Sequence, residues 1–245
     1  MRKVLLLIVS LIVLSCSKDK TPDYITLDKS ELIMKYGDEK SVSFDTNVDY
    51  VAANVEDDYF ASVLANLTTI DVTAWKVGET KAVITAGEAK AELLIKVEPK
   101  EDYIGTPVVA LGQDMAYIKA NEDAAASGIA ADCLTYKDDY VPHWAIHRYY
   151  FKNNKLDYIL TTIPISKLNS DFNTYIIQIS KSLIERYTLG DSYSGKYRHI
   201  YTYKYKNEYH IGIVQGTGNG DWYLCYAKSI DKIKEVLDKH PSIAI

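Results

Sequence analysis

An all-β sandwich over residues 24–99, then an α+β unit over residues 103–245 whose antiparallel sheet carries helices on one face, is the fold class the sequence predicts. Three observations predict it. Short alternating apolar segments punctuated by Gly and Asp fill the first stretch, as in a sandwich of short strands. From Tyr103 the texture changes to helical spacing mixed with long, tyrosine-rich strands. That second texture starts again near Asn169, which reads as a duplication of an αβββ unit.

The first element is a leader, residues 1–15. Arg2-Lys3, an apolar run from Val4 to Leu14 and the small Ser15 have the order of an export signal, and the run is too short to span a bilayer. Val13-Leu14-Ser15-Cys16 resembles the end of a bacterial lipoprotein signal. The resemblance implies a mature chain that begins at Cys16 and carries diacylglycerol and an amide-linked acyl chain there. At about 0.8 kcal/mol per buried CH₂, several chains hold a protein to a membrane far better than one. An ordinary secretory signal with Cys16 incidental, or an uncleaved apolar anchor, is the alternative. Residues 16–23 are polar and contain Pro22, the composition of a solvated tether. Their charged stretch, Lys18-Asp19-Lys20, resembles the surface-export signals of Bacteroidota lipoproteins, which implies an outer-membrane address and exposure on the cell surface.

The sandwich strands are predicted around Leu32-Ile33-Met34, Ser41 to Phe44, Ile70-Asp71-Val72, Ala82-Val83-Ile84 and Ala91 to Val97. The order Ile25-Thr26-Leu27, Ser30-Glu31-Leu32, Gly37-Asp38, then Trp75 to Thr85 with its Val77-Gly78-Glu79-Thr80 turn, and a final Ile95-Lys96-Val97, resembles bacterial Ig-like domains. Such domains act in lipoproteins of this kind as spacers or adhesion modules. Asp45, Asn47, Asp49 and Glu56 have the spacing of an EF-hand loop, but Tyr50 stands where the turn wants glycine and a strand precedes it. A solvated acidic loop is the reading there.

In the second unit, Met115, Ile118, Glu122 and Ala125 predict a helix that ends at Ala126-Ser127-Gly128. Strands follow at 132–137, 144–151 and 156–163, the last two joined by Asn153-Asn154. Phe172, Tyr175, Ile176, Ile179, Leu183 and Tyr187 form one apolar stripe with an N-cap among residues 169–171. Strands at 197–206, 208–215 and 222–227 come next, with Lys206-Asn207 as a second hairpin turn, and Ser229 caps a last helix carrying Ile230, Ile233, Val236 and Leu237. Each helix has one apolar stripe to bury against a sheet.

The formal charge of −5 becomes −7 once Arg2 and Lys3 leave with the signal. Neither half carries the basic excess that a phosphate backbone requires, so nucleic acid is excluded as a partner class. Cys133 and Cys225 are candidates for a disulfide in an oxidising compartment, or else small buried apolar residues. Tyr197, His199, Tyr201, Tyr203 and Tyr205 share one strand face, either an aromatic platform or a core face. The presence of Arg198, Thr202 and Lys204 on the other face favours core. His143 and His147 would be ~13 Å apart on a strand, too far for one metal ion. Gly216 to Gly220 leads into a strand, which lacks the helix dipole of a phosphate loop. With no GxSxG, HExxH or CxxC pattern, the sequence does not suggest an enzyme, a metal or a cofactor. It suggests a glycan- or protein-binding module on an Ig-like spacer, with Trp144, Trp222 and Tyr223 near strand ends as candidate ligand contacts. A structural or accessory subunit of an envelope complex, with the same aromatics as core, is the other reading.

Overall fold

The computed structural model describes residues 21–100, 102–138, 145–164, 172–194, 199–216 and 220–239. Cys16 and the leader lie outside them, as do Trp144, His143, Tyr197 and the predicted N-cap at 169–171.

Eight strands fill the first stretch: β1 (Ile25–Leu27), β2 (Glu31–Lys35), β3 (Glu39–Thr46), β4 (Val51–Val55), β5 (Ala61–Ala65), β6 (Thr69–Ala74), β7 (Gly78–Ala86) and β8 (Ala89–Glu98). They form two four-stranded sheets, ordered β1-β3-β6-β5 and β2-β8-β7-β4. Period-two alternation turns Val42, Ile70 and Val72 of one sheet toward Ile84, Leu93 and Ile95 of the other, and these residues make the core. This strand order is that of an immunoglobulin sandwich, ABED facing CFG. β2 adds to the second sheet by running parallel to β8, while every other described pair within the sandwich is antiparallel.

Part of the acidic segment expected as a loop is β4. Its Val51-Ala-Ala-Asn-Val is half-buried except at exposed Asn54 and has small side chains, so it lacks the alternation that reveals a strand. Asp45 and Asn47 secure the chain entry instead of forming a cation loop. The Tyr24 hydroxyl donates to Asp45, and the Tyr24 amide donates to Asn47 Oδ1 at 2.9 Å.

The second stretch begins with α1 (Met115–Asn121), whose first turn is capped by Asp114. It is shorter than the apolar spacing predicts, because Glu122 leaves helical backbone at φ −83° and ψ 136°. Then come β9 (Gly128–Ile129), β10 (Cys133–Asp138), β11 (Ala145–Lys152), β12 (Lys155–Ile163), α2 (Phe172–Arg186), β13 (Thr188–Ser194), β14 (His199–Tyr205), β15 (Tyr209–Gln215), β16 (Trp222–Ala227) and α3 (Ile230–Lys239). All eight strands pair antiparallel in one sheet, in the order β13-β14-β15-β16-β12-β11-β10-β9.

The duplication is therefore a helix followed by four strands, not three. Each half adds an edge strand, β9 or β13, and the halves meet where Leu160 of β12 faces Cys225 of β16. The two Asn-containing turns are not equivalent within it: Asn153-Asn154 (φ 51° and 60°) joins the third and fourth strands of its half, whereas Lys206 (φ 49°) turns between the second and third of the other.

Ile118 of α1 and Ile179 and Leu183 of α2 bury one face of this sheet against Tyr149, Ile159, Leu224 and Tyr226. The third helix departs from the expectation of helices on one face. α3 sets Ile233, Val236 and Leu237 on the opposite face, against Ile200, Val214 and Cys225. It comes so close to β15 that a Cβ on Gly212 would lie 2.3 Å from Ile233 Cγ2.

The candidate disulfide between Cys133 and Cys225 is absent. β11 and β12 separate Cys133 from Cys225, and at about 4.8 Å per strand that is ~14 Å, beyond the reach of a bridge. Both thiols are free.

The sandwich and the second sheet meet at the end of α2. The last four carbonyls of a helix have no partner within it. Here Leu183 O accepts from Tyr187 N at 2.7 Å, Ile184 O from Lys76 Nζ at 2.7 Å, Glu185 O from Val77 N at 2.8 Å and Arg186 O from the Tyr59 hydroxyl at 3.0 Å. Three of the four donors belong to the sandwich. Beside them Lys206 is paired with Asp57 and lies 5.0–5.7 Å from the ring centres of Tyr59, Phe60 and Tyr205.

Candidate functional site

Trp222 and Tyr223 do not project from a strand end. They open β16, a central strand covered on both faces, all six residues of which are buried. Trp222 is 8% exposed on the α2 side, and Tyr223 is 2% exposed on the α3 side. Consecutive residues of a strand face opposite ways, so the two cannot share a binding surface.

Trp222 nevertheless borders a pocket. Between α2 and the sheet lies a space of about 270 Å³ lined by Ile179, Ser180, Tyr201, Tyr203, Ile213 and Trp222. The aromatic ladder of β14 builds its wall: Tyr203 is buried, while Tyr201 is 51% exposed at the rim beside exposed His199, their rings 5.0 Å apart. Tyr203 is hydrogen-bonded to Ser180, and burial pushes its phenol above the ordinary tyrosine range. The far end of the ladder joins the core. Tyr205 stacks on Tyr209 at 5.1 Å and meets Tyr187 and Tyr59 edge-on, and burial holds the Tyr187 phenol up at about 12. On the outside of α2, Ile177 is 55% exposed one turn before Ser180.

Of the pocket residues, Ser180 and Ile213 were not singled out by sequence, and Ile179 only as part of the helix stripe. Only the shared face of Tyr201 and Tyr203 signalled them, because it must face whichever helix covers β14. His147 is buried on β11 with Nδ1 2.9 Å from Thr161 Oγ1, and burial lowers its imidazole to about 4. Among the described residues, no group of three His, Cys, Asp or Glu side chains is placed to hold a metal ion.

No protein-family model matches the chain, and no curated protein matches it significantly. Solved structures align weakly. Domains 4 and 5 of the S-layer protein SbsC share 17% identity over 30% of this chain and 50% of that one, with a TM-score of 0.28, so this chain spans half the length of that structure. Domains 5–6 of the same protein share 12% identity over 84% of this chain and 83% of theirs, also at 0.28. The titin Ig tandem A164-A165 shares 9% identity over 85% and 83%, at 0.25. The immunoglobulin-like assignment rests on strand order and not on these alignments.

Proposed function

We propose that the chain is a lipid-anchored, exported protein-binding module of the cell envelope, in which an Ig-like sandwich holds a ligand-binding α+β unit away from the membrane. The leader and Cys16 support the anchor; no described helix is long and apolar enough to cross a membrane. The pocket between α2 and β14 carries the binding reading. It is lined largely by apolar and aromatic side chains, Tyr201 stands exposed at its rim, and Ile177 is exposed on the same helix that walls it. A concave apolar site with an exposed aromatic rim suits one anchoring side chain of a partner protein, around which flatter contacts exclude water.

A photo-crosslinking residue at Ile177 tests this in intact cells. A discrete crosslinked species that disappears on Tyr201→Asp, with an unchanged melting temperature, supports the module; its persistence in that variant refutes it. For the anchor, Cys16→Ala is expected to abolish palmitate labelling and release the protein from the membrane fraction. Sedimentation and labelling unchanged from wild type refute the lipoprotein reading.

A further inference from the structure

A second concavity, of about 580 Å³, lies on the same sheet face where the sandwich, the chain after β8 and the first half of the sheet converge. Val77 and Pro99 border it from the sandwich, Ile104 to Thr106 from the connection, and Arg186 from the end of α2. Its floor is a cross-strand pair, Tyr136 of β10 opposite His147 of β11. Both side chains are buried, His147 at 5% exposure.

Three polar atoms there remain available. The Nδ1 of His147 is engaged by Thr161, and Nε2 has no partner among the described residues. Glu122 accepts from the Tyr149 hydroxyl and, at 3.1 Å, from Val108 N, both on Oε1, which leaves Oε2 unengaged among the described residues. The Tyr136 hydroxyl likewise has no hydrogen-bond partner among them; its ring is held edge-on to Tyr149 at 5.6 Å. All three open onto the concavity rather than being sealed from solvent, so a ligand can take the place of water on each of them.

The charges around them narrow the chemistry. Arg186 is already paired with Asp102 at 2.6 Å. Of the remaining ionic groups bordering the space, Glu122 and Asp123 are acidic and Lys137 is basic, so neither sign dominates as a strongly charged ligand would need. Hydroxyl groups both donate and accept, which fits an alternation of carboxylate, imidazole, phenol and ammonium. The volume lies within the ~300–1,000 Å³ range of small-molecule sites, which favour boundaries between structural units.

The geometry points to a binding site for a neutral, hydroxyl-rich small molecule of monosaccharide or polyol type, held by Glu122, Tyr136 and His147 with Lys137 and Asp123 at its mouth. It is separate from the aromatic pocket, and neither assignment depends on the other. The test titrates the full chain with D-glucose, D-galactose, N-acetylglucosamine and myo-inositol at millimolar concentration, following the ring resonances of His147 and of Trp222 in parallel by NMR. The expected result is a saturable shift of His147 with at least one of the four and no change at Trp222. Lys137→Ala and Asp123→Asn, both at exposed positions, are expected to weaken it about tenfold each, a loss of ~1.4 kcal/mol, with the melting temperature preserved. No His147 shift with any of the four, a shift that is undiminished in both variants, or a stronger response to phosphate or ethylammonium overturns the assignment.

Discussion

The backbone amide of Val77 donates to the carbonyl of Glu185 at 2.8 Å, joining the residue just before β7 to the last turn of α2 across more than a hundred positions of sequence. The helix is thereby terminated by the sandwich. Lys76 and Tyr59 supply the neighbouring donors, and the helix that walls the aromatic pocket ends in a cap made by a different layer.

Removing a capping donor is expected to loosen α2 without unfolding the sandwich. Tyr59→Phe and Lys76→Ala should each lower stability by about 1 kcal/mol, the ordinary net worth of a hydrogen bond. Hydrogen exchange at Tyr187 N, which bonds Leu183 O, should accelerate in both. A fragment starting at Asp102 is expected to melt cooperatively yet below the full chain, with faster exchange confined to the last turn of α2. Unchanged exchange there would mean that the sandwich contributes nothing to the helix end.

The burial of Trp222 sets a second expectation. Trp222→Ala should cost about 3–5 kcal/mol, as large core truncations do. Tyr201→Ala, at an exposed rim, should stay within about 0.5 kcal/mol of wild type. Chemical denaturation of the two variants checks the contrast.

His147 gives a pH dependence. Its imidazole titrates near 4 when folded, against about 6.5 when unfolded. The unfolded chain therefore takes up the proton first as pH falls. This group's contribution is complete above about pH 6.5 and drains away toward pH 4, by on the order of 3 kcal/mol. His147→Gln should flatten the stability profile in that window; a profile identical to wild type would place the imidazole in water.

The thiols should behave differently from one another. Burial raises both, but Cys225 is fully buried whereas Cys133 is only half-buried. A maleimide should label Cys133 in the native protein and reach Cys225 only after unfolding. Mass spectrometry of the labelled chain checks this, and Cys133→Ser should leave the melting temperature the same with and without reductant.

The layers of the molecule were legible where apolar periodicity was strong. β6, β7 and β8 alternate cleanly, Asn153-Asn154 marks its turn, and the Ile179-Leu183-Tyr187 stripe marks α2. β4, β9 and β13 were not legible, because small or polar residues at a sheet edge leave no alternation: Thr188-Leu-Gly-Asp-Ser-Tyr-Ser reads as a loop until β14 is beside it. Trp222 and Tyr223 illustrate a different limit. A turn nearby suggested exposure, but which strand becomes central depends on the β12–β16 pairing, a contact no local pattern encodes. His147 and Tyr136 drew no attention together, since their partnership is a register between strands.

The parallel pairing of β2 with β8 has a mechanical side. The five rungs run from Glu31 opposite Leu94 to Lys35 opposite Glu98. A force applied between the chain before β2 and the unit that follows β8 puts tension on the start of one strand and the end of its parallel neighbour. Those two ends lie at opposite extremities of the ladder, so the load slides the strands past one another and is shared by all rungs at once. An antiparallel pair pulled from adjacent ends would instead open one bond at a time. The same arrangement that closes the sandwich thus makes it resistant to shear along the chain.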